Sequence, residues 1–148
     1  MVTPMHLWPS GEGIVEFPDG RRCRGRGLRR PLPDGPDPDF GVYLLGREPA
    51  AQRWASRWVR WRDFRLPDST ADALTALREA YDRAATERVE IACGGGVGRT
   101  GTALAVLAVM GGIAADDSVT WVRQQYHRRA VETRRQRRWI QQVAGQQD

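Results

Sequence analysis

The stretch Val89-Glu90-Ile91-Ala92-Cys93-Gly94-Gly95-Gly96-Val97-Gly98-Arg99-Thr100-Gly101, running on to Met110, decides how this chain folds. Val89 to Ala92 is a short run of strand character, and Thr100 to Met110 is apolar all round, which predicts a buried helix. Between them lie glycines 94, 95, 96 and 98, a thiol at Cys93, a guanidinium at Arg99 and a hydroxyl at Thr100. A glycine-rich turn that feeds a helix N-terminus gathers backbone N–H groups around one anion. With a cysteine at its floor, the turn reads as a phosphate-binding loop made of Gly94, Gly95, Gly96, Val97, Gly98 and Arg99.

The elements on either side predict one sheet. Upstream, Ile14 to Phe17 alternates, Pro18-Asp19-Gly20 turns, and Arg21 to Arg24 alternates again, as in a β-hairpin. Gly25 to Asp39, rich in Gly, Pro, Arg and Asp, reads as a loop that adds nothing to the core. Phe40 to Leu45 and Trp58 to Trp61 read as strands, with a turn or short helix between them. A helix starts after Pro67, capped by Asp68 or Ser69, with Leu74, Leu77 and Tyr81 at helical spacing. Beyond Met110, Gly111-Gly112 ends the buried helix. Asp116 or Asp117 caps the next one, whose face is Val119, Val122 and Tyr126. A last helix, about Glu132 to Ala144, buries Trp139, Ile140 and Val143. Strands and helices alternate in the middle and helices dominate the end. The expected class is therefore α/β, with a single mixed β-sheet flanked by helices.

Composition narrows the function classes. The chain has 148 residues, enough for one core, so residues 1–148 are expected to form a single domain. Its 41% apolar content and six tryptophans suit a folded chain rather than a disordered one. No apolar run reaches the roughly eighteen residues of a membrane span, and Met1 to Glu16 lacks a basic start followed by an apolar run. A cytoplasmic location and a monomer are expected. The formal charge is +5 and every basic side chain is arginine, which suits phosphate and carboxylate oxygens. Of the two cysteines, Cys23 falls in an expected strand and reads as structural, with a redox partner to Cys93 as the rival reading. No His/Cys cluster has metal-ligand spacing, so neither metal nor cofactor is expected.

The loop implies chemistry of its own. A helix dipole, converging N–H groups and Arg99 all favour a thiolate at Cys93, and such settings bring a cysteine pKa from about 8.5 to roughly 3.5–7.5. Thr100 can add a hydroxyl hydrogen bond to the sulfur, and Arg99 can grip two phosphate oxygens at once. Two other glycine motifs fit less well. A Walker A loop would need glycine where Cys93 stands and lysine where Arg99 stands. Gly96-Val97-Gly98-Arg99-Thr100-Gly101 satisfies G-x-G-x-x-G, with Asp116 further on. Asp116, however, follows a helix directly and has no second strand to carry it, so the dinucleotide-binding half cannot be built.

At these residues the chain resembles the cysteine-based protein tyrosine and dual-specificity phosphatases, whose signature is H-C-x5-R-[ST]. Cys93, Arg99, Thr100 and the later glycines match it, with Ala92 in place of the histidine. The resemblance extends upstream, where Trp61-Arg62-Asp63-Phe64-Arg65-Leu66-Pro67 is similar to the family's W-P-D acid loop. It implies that Asp63 is the general acid, with Asp68 as the rival carboxylate. Downstream, Glu132-Thr133-Arg134-Arg135-Gln136 is similar to the family's glutamine segment. Glu132 stands at the position that orders the hydrolytic water, and Gln136 either takes over that role or supports its helix.

The motifs span about residues 58–143, and residues 1–50 supply the hairpin and a loop beside the pocket. The implied activity is hydrolysis of phosphate monoesters on phosphoproteins, with phosphotyrosine preferred or dual specificity, through a phosphocysteine and with no metal. The implied catalytic set is Cys93, Arg99, Asp63, Thr100 and Gln136. A phosphate- or nucleic-acid-binding module without turnover and a phosphoinositide phosphatase are the competing readings. The arginine run from Arg128 to Arg138 either steers acidic phosphopeptides or is a solvated face.

Overall fold

A computed structural model describes residues 7–146. The leader reading rests partly on residues 1–6, which lie outside the described residues. Five strands, β1 (Ile14–Glu16), β2 (Arg22–Gly27), β3 (Phe40–Leu45), β4 (Ala55–Arg60) and β5 (Val89–Cys93), form one sheet in the order β1-β2-β5-β3-β4. The β1–β2 hairpin is antiparallel and every other pairing is parallel, so the sheet is mixed. The strand that ends in the glycine loop is central, paired to Phe40–Tyr43 on one side and Cys23–Gly27 on the other. All five of its residues are buried, as expected of a parallel strand covered on both faces.

Four helices complete the fold: α1 (Thr70–Arg83), α2 (Gly98–Met110), α3 (Ala115–Gln125) and α4 (Arg134–Ala144). α1 packs on β3 and β4, α2 on β2 and β5, and α3 and α4 on α2, which places the helices together on one face. Beneath them lies a single apolar cluster that includes Val42, Leu44, Leu77, Ile91, Leu104 and Ile140. α2 is buried from Gly98 to Ala108, in keeping with its uniformly apolar sequence. None of the described helices is long and apolar enough to cross a membrane.

The opposite face is polar. Glu90, fully buried, accepts hydrogen bonds from Arg24, Arg26 and the Tyr43 hydroxyl. Trp54 donates to the same hydroxyl, and Trp8 lies against Arg24 while its indole N–H reaches the Val89 carbonyl. The guanidinium groups hold the Glu90 carboxyl below its ordinary range even though burial alone would raise it. A carboxylate in the central strand is tolerated because two cations and a phenol satisfy it.

Several boundaries differ from the expectation. β2 runs on through Gly25-Arg26-Gly27, which the composition had marked as loop. Those glycines belong to the strand because other segments press on it. A Cβ at residue 25 would lie 2.4 Å from the Tyr126 ring, and one at residue 27 would lie 2.7 Å from the Gly95 carbonyl. β4 begins at Ala55 rather than Trp58, and Trp61 lies beyond it in a bridge to Pro67. Ser69 caps α1, its hydroxyl accepting from the Asp72 N–H. α2 starts two residues before Thr100. Neither Asp116 nor Asp117 caps α3, since Ala114 is the N-cap and both carboxylates fall in the first turn, where the helix dipole favours them. α4 begins at Arg134, with Thr133 as its cap.

Candidate active site

The site forms where β5 hands over to α2. Gly96 bends the loop with φ +74, and a Cβ there would meet the Gly27 backbone nitrogen at 2.4 Å, so only glycine fits. The loop is fastened from below by residues just past the end of β2 and by Tyr126. Leu28 N–H donates to the Cys93 carbonyl at 2.8 Å, Arg29 N–H to the Gly94 carbonyl at 3.1 Å, and the Tyr126 hydroxyl to the Gly96 carbonyl. Burial pushes the Tyr126 phenol above its ordinary range, and the neighbouring Cys93 adds to the shift, so the phenol stays a donor.

Cys93 is 2% exposed, and its sulfur accepts two hydrogen bonds, from the Gly96 N–H at 3.2 Å and the Thr100 hydroxyl at 3.0 Å. The Thr102 hydroxyl, nearby on α2, donates to the Gly98 carbonyl and stiffens the loop-to-helix junction. Arg99 is anchored by one end of its guanidinium. Its Nη1 donates to the Leu44 carbonyl at the end of β3 and to the Trp61 carbonyl at the start of the acid loop, at 3.1 and 3.0 Å. Its Nε is buried and has no hydrogen-bond partner among the described residues. The Asp63 carboxylate faces that Nε at 3.6 Å.

Asp63 sits in a turn closed by the Arg65 N–H bond to the Arg62 carbonyl, and the Phe64 N–H donates to its carboxylate. Phe64 holds φ 60 and is exposed, a conformation that costs an L-residue roughly 1–2 kcal/mol. The turn is rooted by Trp61, fully buried, whose indole N–H donates to the Arg65 carbonyl at 2.6 Å and whose ring meets Trp139 of α4 edge-on. Asp68, the rival carboxylate, faces Arg60 and Arg62 at 3.7 and 3.5 Å instead.

Gln136 is fully buried and both ends of its amide are committed. Its oxygen accepts from the Glu132 and Thr133 N–H groups, completing a capping box with Thr133, and its nitrogen donates to the Arg65 carbonyl at 3.2 Å. It thus ties the Asp63 turn to the start of α4.

Glu132 lies against the loop so closely that a Cβ on Gly98 would fall 1.9 Å from its carboxylate oxygen. Partial burial raises its carboxyl above the ordinary range, the nearby Asp63 raises it further, and Arg99, His127 and Arg129 oppose the shift. Behind it, Arg123 grips the Ala130 and Val131 carbonyls at 2.8 and 2.7 Å and braces a segment in which Val131 holds φ 65. The sequence pointed to Glu132 only as a replaced glutamine, and nothing in it pointed to Arg123, which acts through backbone carbonyls in another segment. Arg29, from the loop after β2, also reaches the site, its guanidinium 3.1 Å from where a Gly94 Cβ would stand.

A strand-to-helix glycine loop, with its cysteine under two donors and a half-anchored arginine facing a carboxylate, defines the class of α/β phosphatase domains. The model of the family described as "Swiss Army Knife protein, DSP-PTPase phosphatase domain" matches residues 62–147, and the chain belongs to that family. It is a phosphatase domain of the cysteine-based tyrosine and dual-specificity superfamily. Among solved structures, Tk-PTP in its active form is similar at 23% identity with a TM-score of 0.68, over 96% of this chain and 100% of that one. The G95A mutant form of Tk-PTP aligns at 24% identity and TM-score 0.64, over 89% and 95% of the two chains. The Trypanosoma brucei protein tyrosine phosphatase TbPTP1 aligns at 18% identity and TM-score 0.54, over 74% of this chain and 60% of that one. At such identities the likeness is one of fold. No curated protein sequence matches the chain.

Proposed function

We propose that this domain hydrolyses phosphate monoesters on proteins, phosphotyrosine foremost, through a phosphocysteine on Cys93. The observation that carries the reading is the pairing of a two-donor sulfur with an arginine whose Nε makes no hydrogen bond and faces only the Asp63 carboxylate at 3.6 Å. The Cys93 sulfur attacks phosphorus, forming the S–P bond as the bond to the leaving oxygen breaks. Arg99 and the N–H groups of residues 94–99 hold the equatorial oxygens as negative charge spreads over them. Asp63 gives its proton to the leaving oxygen, because a phenolate or alkoxide departs poorly without one. Water then attacks phosphorus, the S–P bond breaks and Asp63 takes back a proton, while Thr100 supports the departing sulfur.

Gln136 positions the acid loop through the Arg65 carbonyl. Exposed Phe64, next to Asp63, offers an aromatic surface to the ring of a phosphotyrosine, which favours that substrate over phosphoinositides. Reduced Cys93 suits a reducing compartment such as the cytoplasm.

Hydrolysis of a chromogenic aryl phosphate, blocked by vanadate and abolished in Cys93→Ser with the fold retained, is the expected result. Full activity in that variant would overturn the mechanism. Phosphate binding without any turnover would favour a binding module instead.

A further inference from the structure

A cleft of about 380 Å³ opens between the acid loop and α4. Arg62 and Arg65 line it from the loop, Arg135 and Arg138 from the helix. Three residues apart, Arg135 and Arg138 lie on one helical face, with Gln142 a turn further on. Among the described residues, the only carboxylate in the lining is Asp68, which reaches Arg62 at 3.5 Å, the outer limit of a hydrogen bond. Among the described residues, Arg65, Arg135 and Arg138 have no carboxylate within ion-pair distance. Four exposed guanidinium groups therefore line one space with one carboxylate among them, so an anion placed there would meet all four.

Guanidinium forks select phosphate-type oxyanions, which they engage two oxygens at a time. We propose that this cleft is a second phosphate site, taking a phosphoryl group other than the one being hydrolysed. The inference rests on the phosphatase reading and deepens it: the preferred substrate carries two phosphates close together in its chain. Arg62 and Asp63 are consecutive, so the acid loop borders both the cleft and the side of the site where Asp63 faces Arg99, and the proposal lays the substrate's flanking segment along that loop. An anion shared by Arg62 and Arg65 on one wall and Arg135 and Arg138 on the other also screens the repulsion between them. It would hold the acid loop where Gln136 already ties it, with Asp63 facing Arg99.

The test compares phosphotyrosine peptides with and without a second phosphoresidue one to four positions away. It uses the wild-type protein and the exposed double variant Arg135→Ala/Arg138→Ala. At one or more spacings, kcat/KM is expected to be at least about ten-fold higher for the doubly phosphorylated peptide. The double variant should lose that gain while hydrolysing a small aryl phosphate within two-fold of wild type. Calorimetry on Cys93→Ser should show the same preference without turnover, and the triple variant should lack it. Equal kcat/KM at every spacing, or a preference that survives the double variant, overturns the site.

A further arm adds inorganic pyrophosphate to the aryl phosphate assay. Stimulation in wild type but not in the double variant supports the phosphate site with a free ion as its source. If wild type fails to hydrolyse the aryl phosphate, the catalytic reading falls, while the calorimetric comparison still decides the cleft.

Discussion

The two cysteines stand on neighbouring strands of one sheet, both free and both buried, and their surroundings differ in kind. Cys23 lies in mid-strand within the apolar cluster, and burial pushes its thiol up to about 12. Cys93 ends its strand and meets the Gly96 N–H and the Thr100 hydroxyl, with Arg99 in the first turn of the helix beyond. Loss of water alone silences a thiol, whereas donors placed around the sulfur suit the nucleophile proposed for Cys93. The same contrast separates the buried arginines. Arg24 and Arg26 share the Glu90 carboxylate in close hydrogen bonds, while Arg99 hydrogen-bonds only carbonyls, at one end, and faces Asp63 at 3.6 Å.

The largest effect should come from exchanging each sulfur in turn. Cys93→Ser is expected to lower aryl phosphate turnover by at least about a thousand-fold with an unchanged melting temperature. Cys23→Ser should leave turnover within two-fold. It should cost about 1–3 kcal/mol in denaturant unfolding, because the new hydroxyl is buried in apolar surroundings. The reverse pattern would undo the contrast between the two thiols.

Next in size is Asp63, the proposed acid. Asp63→Asn should reduce kcat about a hundred-fold on an alkyl phosphate, and less on an aryl phosphate with an acidic phenol. A loss independent of the leaving group would assign Asp63 to binding.

Removing one donor to the sulfur probes the contrast more finely. Thr100→Val keeps the shape and deletes the hydroxyl, and loss of a hydrogen bond to the proposed nucleophile predicts about a ten-fold fall in kcat.

The smallest effect concerns charge at the mouth. The Glu132 carboxyl is raised by burial and by Asp63, so it is neutral at the acid end and becomes negative as pH climbs through its raised range. From there it repels the substrate phosphate, and Glu132→Gln does not. Wild type and variant should share a KM at low pH. Above that range the wild-type KM should be up to about five-fold higher, as ~1 kcal/mol of repulsion predicts. Parallel KM profiles at all pH values would show that Glu132 does not face the substrate.

How much was legible depends on how local each feature is. The β5–loop–α2 unit could be read because an apolar strand, a glycine run and an apolar helix succeed one another without a break. The cap of α1 could be narrowed to Asp68 or Ser69, of which Ser69 is the one, and Trp139 showed itself by helical spacing. The end of β2 was hidden, since Gly25 and Gly27 carry the composition of a loop and only the approach of Tyr126 and Gly95 explains them. Gln136 could be placed near the site, but its amide turned out to join α4 to the acid loop. The basic cleft draws its arginines from two segments about seventy residues apart, and no run of sequence displays that meeting.

The chemical identity of the loop and the elements that bracket it are written in the order of the residues alone. Spacing within a strand–turn–helix is set by covalent geometry and by the conformational freedom of glycine. Which groups face that loop is a matter of packing in three dimensions. Packing brought Asp63 to Arg99, set Glu132 against Gly98 and left the Arg99 Nε without a hydrogen-bond partner among the described residues. Electrostatic consequence depends on distances through space, and those are settled by how the helices stack on one face of the sheet.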